Sequence, residues 1–582
     1  MPNRRSGRTE LVMPAGSLGK LKCALLYGAD AVYAGTPELS LRSKSDFSLE
    51  DLAEGARFAH ALGKRLYLTL NLFAHNKDVE RLPLILDSVR QIAPDGLIVA
   101  DPGVFQYFRE QAPELELHIS TQANVTSFLG VKFWQRQGAS LCVLAREVSF
   151  GDLAQIRAEC PDMRLETFVH GAMCMTYSGR CLLSNYLAER GANQGSCAHS
   201  CRWRYNLKVR TPDGGEAEVE INDTNVSQFQ FFLEEEFRRG ELYAIEEDER
   251  GTYILNSRDL CLMPRLDQYL ALGVDSLKVE GRNKSEYYAA VVARAYRLAI
   301  DAYYRDPESF DASRYMHELE TVKSRGYTLG FHEGRLTNLA HDYAGGQSYS
   351  PWEFAGLVKA WQGDELVLEV KNRLSAGDVL EFLVPGALNE DVRLRCYEYV
   401  SASDGQPLVK ISGGEGRAIR LSLEQFHAED AGRLPSLLPA GCVVRKSVPL
   451  PAEQSLQLEH NQLSFAAEQG LIRADRLRAP RAGRSVSKAP RVGAEGCCGL
   501  GCNGCLPFWN EAKYAKAREQ LVLARHGRRL TKAEALSDIG TRTTLAATAD
   551  DDGGAADLRR DAKREFTEDA AAALGPAQAE HQ

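Results

Sequence analysis

The chain has no uninterrupted apolar run near the roughly 20 residues that a membrane helix needs. Its longest, such as AIDAYY and SLLPAGCVV, fall well short, and no membrane span is expected. The start, MPNRRSGRTE, is basic but runs straight into LVMPAGSLG, with neither a continuous apolar core nor a small-residue cleavage site. No secretory signal is read there, and a cytoplasmic location is expected. A surplus of positive charge is missing too: 70 Lys and Arg stand against 79 Asp and Glu, a net charge of −9. Any nucleic-acid contact must therefore be local. Catalytic signatures are also absent. There is no HExxH and no GxSxG elbow, so hydrolysis has no motif to rest on.

What is present is cysteine, 14 residues of it. In a reducing compartment that number does not describe a disulfide framework, so clusters read as metal or redox sites. Cys23, Cys142, Cys160, Cys261, Cys396 and Cys442 stand alone and read as small apolar core residues. The other eight fall in two groups, 174–201 and 497–505.

From residue 11 onward a short apolar strand, a polar or glycine-bearing loop and an amphipathic helix recur, the βαβ signature. The strands read are LVM (11–13), AVYA (31–34), LYLTLN (66–71), GLIVA (96–100), LELHIS (115–120), LCVLA (141–145), RLETFV (164–169) and, much later, DSLKVE (275–280). Between them lie helices such as LEDLAEGARFAHALG and VKFWQRQG. Nothing in this region marks two symmetric halves or a GxGxxG turn, so the pattern fits a closed (β/α)8 TIM-like barrel better than a doubly wound sheet. The expected organisation is α/β: a barrel over 10–310 with a cysteine-bearing insertion at 170–255, then a helical connector at 311–354. A small antiparallel β-barrel over 355–450 follows, where apolar and polar residues alternate between glycine turns. Residues 471–492 read as a basic linker, 493–530 as a Cys-rich segment with a helix, and 540–582 as a disordered tail.

Chemistry in such barrels gathers at the carboxyl ends of the strands. The residues just past them are Pro14-Ala15-Gly16, Arg42, Asn71, His75, Asp101, Thr121, Gln122, Asn124, Arg146, Glu147, His170, Glu280 and Arg282. Each alone is more readily a strand or helix cap than a functional residue. From this set Asn71, Gln122, His170, Glu280 and Arg282 are the candidate catalytic residues.

The insertion opens with four thiols in one loop, Cys174, Cys181, Cys197 and Cys201, spaced C-x6-C-x15-C-x3-C. A thiolate tetrad suits tetrahedral zinc or an iron–sulfur cluster. Structural zinc prefers paired knuckles, and Cys174-x6-Cys181 is loose for one, so a cluster is favoured.

The strings HGAMCMTYSGRCLLSNYL, ANQGSCAHSCRWRYNL, GTYILNSRDL and SLKVEGRNKSEYY, with ELVMPAGSLGKLKCALLYGADAVYAG and VKNRLSAGDVLEF, resemble the collagenase-like peptidase superfamily of uncertain catalytic type. Within it they are most similar to the prephenate-dependent transfer-RNA uridine hydroxylases. The resemblance covers about residues 10–450. It implies conversion of the wobble uridine to 5-hydroxyuridine, prephenate as co-substrate, and a 4Fe-4S cluster on Cys174, Cys181, Cys197 and Cys201. Cys261, after NSRDL, is a reserve ligand. Carbon five of uracil is not acidic, so adding oxygen needs redox chemistry that side chains lack. Prephenate carries two carboxylates, which makes Arg42, Arg146 and Arg282 candidate clamps. Trp203 and Tyr205, interleaved with Arg202 and Arg204, suit a splayed anticodon base and its phosphates.

The second group, Cys497, Cys498, Cys502 and Cys505, includes the C-x3-C-x2-C spacing of radical S-adenosylmethionine enzymes, but a basic linker and not a barrel strand precedes it. It reads as a second iron–sulfur or zinc site outside the resemblance. The linker before it, Arg473 through Arg491, is basic enough for a transfer-RNA tether. Competing readings are a peptidase, a hydroxylase of ribosomal RNA or of a quinone precursor, and a non-catalytic RNA-binding scaffold.

Overall fold

The computed structural model describes residues 8–35, 47–174, 257–334, 336, 338–341, 348–414, 416–426 and 431–473, together with the backbone of short strands within 209–253. Seven strands come in succession: β1 (Glu10–Ala15), β2 (Ala31–Gly35), β3 (Arg65–Leu70), β4 (Gly96–Val99), β5 (Glu116–Ile119), β6 (Leu141–Val143) and β7 (Arg164–Ala172). The eighth, β8 (Ser276–Val279), pairs in parallel with both β7 and β1 and closes the barrel. All eight coincide with the apolar runs in the sequence. They read as runs because helices cover the outside while the closed barrel buries the inside.

Helix starts follow local chemistry. At Leu49–Ala61, Ser48 and Asp51 form a reciprocal capping box, satisfying two orphan amides. Asp101 accepts from the amides of Gly103 and Val104, and its other oxygen accepts from Ala74. This polar residue is thus a cap, as the bland alternative had it.

The main core lies between strands and helices, whereas Val12, Ala31, Tyr33, Tyr67 and Ile98 form a separate small cluster inside the barrel. The rest of the lumen is polar. Lys278 Nζ lies 2.6 Å from Glu166 Oε1, both almost fully buried, and Ser276 donates to the other Glu166 oxygen at 2.6 Å. Burial works against the Glu166 charge, but Lys278 and these hydrogen bonds outweigh it and hold the carboxyl below its ordinary value. Lower down, Tyr67 donates to Glu10 at 2.9 Å, and His118, kept neutral by burial, donates to Glu116 at 3.1 Å.

The connector after the barrel is only partly helical. Besides α3 (Ser313–Leu319) it contributes the strand Tyr327–Thr328, which pairs with Asp259–Cys261; that strand in turn runs antiparallel to the end of β7. The second domain is an eight-stranded antiparallel sheet curled over its own core of Leu366, Leu368, Leu380, Phe382, Tyr399, Ile419 and Leu421. It is fastened to α1 (Leu18–Leu26) and α2 (Glu286–Arg305) of the barrel. Tyr27 at the end of α1 donates to the Leu383 carbonyl at 2.6 Å and accepts from the Val443 amide at 2.9 Å. Arg294 of α2, 0% exposed, pairs with Glu318 and with Asp391. A further helix, α4 (Ala452–Glu468), which the sequence reading left unassigned, packs on the Tyr327–Thr328 edge through Phe465. The linker beyond 473, the Cys-rich segment and the tail lie outside the described residues. No helix among the described residues is long and apolar enough to cross a membrane.

Candidate active site at the barrel mouth

Three backbone segments meet at the mouth so closely that only glycine fits. A Cβ at Gly16, after β1, would lie 2.2 Å from the Arg282 carbonyl oxygen; one at Gly171, in β7, would lie 2.4 Å from that of Glu280. Gly171 also has φ +108, a region that L side chains avoid. The segment Glu280–Arg282 is further held by the Glu280 amide donating to the His170 carbonyl at 2.8 Å and Tyr288 donating to the Glu280 carbonyl at 2.7 Å.

That clamp presents Arg282, largely buried, with Nη1 donating to Thr69 Oγ1 at 3.0 Å. Its guanidinium is 5.8 Å from the Tyr33 ring centroid, and Lys278 Nζ is 4.4 Å from the same ring. Lys278 is the register partner of Phe168 on β7, and the Arg146 guanidinium lies 3.8 Å over the Phe168 ring. Arg146, Phe168, Lys278, Tyr33 and Arg282 therefore form an arc of alternating cations and rings. A guanidinium stacked on a ring face still presents a planar fork that matches a carboxylate or phosphate. Glu166, Lys278, Tyr33, Thr69 and Phe168 were missed in the sequence; single charged letters inside the apolar runs RLETFV and DSLKVE were the available signal.

Of the sequence-predicted residues, the structure brings Arg146 and Arg282 into this arc. Asn71, at the end of β3, is mostly buried. Gln122, in the turn after β5, is 5% exposed, and its Oε1 has no hydrogen-bond partner among the described residues. A buried acceptor of this kind calls for a donor. Glu280 stands at the mouth with its backbone engaged as above.

His170 goes elsewhere. A register shift between Lys278 and Val279 accompanies it, and its ring packs among Tyr288, Tyr296 and Tyr327 at centroid distances of 6.0, 5.6 and 5.4 Å. Burial lowers its pKa to about 3, so the ring is neutral and the geometry supports packing over proton transfer. Since the unfolded chain protonates this ring near pH 6.5 and the folded one does not, its stabilising contribution is full above that pH. It is lost as pH falls towards 3, by about 1.4 kcal/mol per pH unit. Chemical denaturation between pH 6 and 4 should show this slope in the wild type relative to His170→Phe.

Cys174 is exposed, two residues beyond the end of β7, so the first of the four thiols stands at the mouth. As a donor set, four thiolates suit a soft iron–sulfur centre. Cys181, Cys197, Cys201, Arg42 and the Trp203–Tyr205 segment lie outside the described residues, as does the second cysteine group. Cys261 does not serve as a reserve: its thiol is fully buried, 3.8 Å from Met316 Sδ, and burial pushes its pKa up to about 12.

A TIM-like barrel with a cation-and-ring arc at its mouth defines the class. Residues 16–341, more than half of the chain, match the family described as Peptidase family U32, and the chain belongs to that family. It is 39% identical over 438 residues to tRNA hydroxylation protein P of Escherichia coli, covering 72% of this chain and 94% of that protein. It is 36% identical over 382 residues to tRNA hydroxylation protein P1 of Bacillus subtilis, 65% of this chain and 84% of the relative. To the 23S rRNA 5-hydroxycytidine C2501 synthase of Escherichia coli it is 33% identical over 299 residues, 51% of this chain and 40% of that enzyme.

Proposed function

We propose that this chain is a cytoplasmic enzyme that hydroxylates carbon five of the wobble uridine in transfer RNA. In this reading prephenate is the co-substrate and a 4Fe-4S cluster sits on Cys174, Cys181, Cys197 and Cys201. The observation that carries it is the 39% identity to a tRNA hydroxylation protein across nearly that protein's whole length. Exposure of Cys174 at the mouth is consistent with it. When bound, the cluster supplies the redox chemistry that side chains lack. The chain's own residues bind and orient. Arg146 and Arg282 take carboxylates, and Gln122 Oε1 accepts from the ligand. Asn71 and Glu280 complete the polar rim.

A ribosomal-RNA substrate is the second reading, favoured by the 23S rRNA synthase but weakened because the match spans only 40% of that enzyme. Hydrolysis finds less support, because the His170 and His118 rings are committed to packing and to Glu116.

Mass spectrometry of transfer-RNA nucleosides tests the reading. A strain lacking the gene should lose 5-hydroxyuridine derivatives and regain them with the intact chain but not with Cys174→Ser. Unchanged nucleosides would instead send the search to ribosomal RNA. Arg146→Lys and Arg282→Lys keep charge but lose the plane, and each should raise the KM for prephenate by about 5- to 30-fold; an unchanged KM removes that arginine from the clamp. Cys497, Cys498, Cys502 and Cys505 we read as a second iron–sulfur or zinc site. A chain ending at residue 470 should then bind less metal than the full chain, and equal iron and zinc per chain would exclude the site.

A further inference from the structure

The curled β-domain carries an exposed patch that the barrel mouth does not use. The segment 374–378 is its centre: Leu374 and Ser375 pair with Ile411 and Lys410, Ala376 donates to the Val409 carbonyl at 2.8 Å, and Gly377 donates to the Cys396 carbonyl at 2.7 Å. Buried Leu394 and Cys396 alternate with exposed Arg395 and Tyr397, so the latter two project outward. Tyr397 is 71% exposed and Val409 72%, with Arg373, Arg395 and Lys410 exposed around them.

We propose that this patch binds the backbone and an unpaired base of the same transfer RNA at a distance from the modified uridine; this rests on the transfer-RNA reading above. Three features favour RNA over a protein partner. Among the described residues none of Arg373, Arg395 and Lys410 makes an ion pair, whereas the nearby acids are spent internally: Asp378 on Lys446 at 2.9 Å and Glu381 on Arg445 at 3.4 Å. Glu398 is the exposed acid beside Tyr397, so the cations exceed it. An aromatic ring flanked by cations matches base stacking plus phosphate contact, while the centre of a protein interface is depleted of charge. On a chain of net charge −9, such a patch is also the local contact that an RNA ligand requires. The buried links of Tyr27 and Arg294 across the domain boundary hold the patch at a fixed spacing from the mouth.

The test uses the full chain, with Arg395→Ala, Tyr397→Ala and Lys410→Ala combined. Fluorescence anisotropy over a salt series, with full-length transfer RNA and with an isolated anticodon stem-loop, reads binding. The triple variant should bind full-length transfer RNA about tenfold more weakly, with its salt slope reduced by about 2. Binding and hydroxylation of the stem-loop should stay at wild-type levels. Should the triple variant unfold early, Arg395→Gln with Lys410→Gln keeps side-chain bulk and should lower the slope alone. Wild-type affinity and slope for full-length transfer RNA in a folded variant would overturn the patch while leaving the hydroxylase reading intact. A changed oligomeric state with unchanged RNA binding would likewise overturn it, in favour of a protein contact. Failure of the wild type to modify any transfer RNA is a different result: it removes the hydroxylase reading, and the wild-type Kd then judges the patch by itself.

Discussion

Gly171→Ala should lower hydroxylation on the order of 100-fold and destabilise the protein by about 3–5 kcal/mol. Two independent costs add. With φ +108 an alanine enters a conformation that costs about 1–3 kcal/mol. Its Cβ would also lie 2.4 Å from the Glu280 carbonyl oxygen, and that oxygen belongs to a segment fixed on its other side by Tyr288. The backbone of Glu280–Arg282 must then move, and Arg282 leaves Thr69 and Tyr33. Displacements near 1 Å at a reacting site cost about two orders of magnitude in rate. Gly273→Ala is the control: φ is +76, but nothing lies within 4 Å of the added Cβ, so only about 1 kcal/mol of backbone cost is expected. Thermal unfolding and quantified 5-hydroxyuridine separate the two. Comparable losses for both variants would mean that the close approach does not hold the mouth.

The barrel was legible in the sequence because strands buried on both faces leave unbroken apolar runs, and the polar letters after them mark one end. Yet position after a strand did not distinguish site from scaffold. Asp101 is a helix cap and His170 packs among tyrosines, outcomes decided by hydrogen-bond geometry and by a register shift. The Glu166–Lys278 pair joins residues 112 positions apart, and each is a charge set inside a largely apolar strand, so only closure of the barrel reveals the pairing. Helix α4 escaped for another reason. Its buried residues are Asn461, Ser464 and Phe465, while Leu456 and Leu463 are exposed, so the periodicity that marks an amphipathic helix is inverted. Cys174 lies two residues beyond the end of β7, so its nearness to the mouth follows from where that strand stops.

Glu318→Ala should destabilise the protein by about 3–5 kcal/mol, and the loss should appear as loosening of the β-domain from the barrel. Glu318 pairs with Arg294 and lies 3.4 Å from Arg445 Nη1. Arg445 also reaches Glu381 and donates to Thr321 Oγ1 at 3.1 Å. Arg294 retains Asp391 at 2.6 Å and the Val384 carbonyl at 3.3 Å. Removing Glu318 leaves two buried guanidinium groups sharing fewer carboxylates, and a stranded buried charge is what makes such losses large. Replacing the whole cluster need not be costly, since a buried network exchanged for apolar residues of similar volume is often neutral or better. Arg294→Met with Glu318→Leu should therefore recover part of the loss of Glu318→Ala, with Asp391 then held by the Val384 amide at 2.9 Å and by Arg445 Nη2 at 3.8 Å. Urea titration with limited proteolysis near residue 350 reads both effects. Equal stability of Glu318→Ala and wild type would show that Asp391 and Glu381 suffice to balance the two arginines, and the junction would then owe its strength to Tyr27 and the apolar contacts around it.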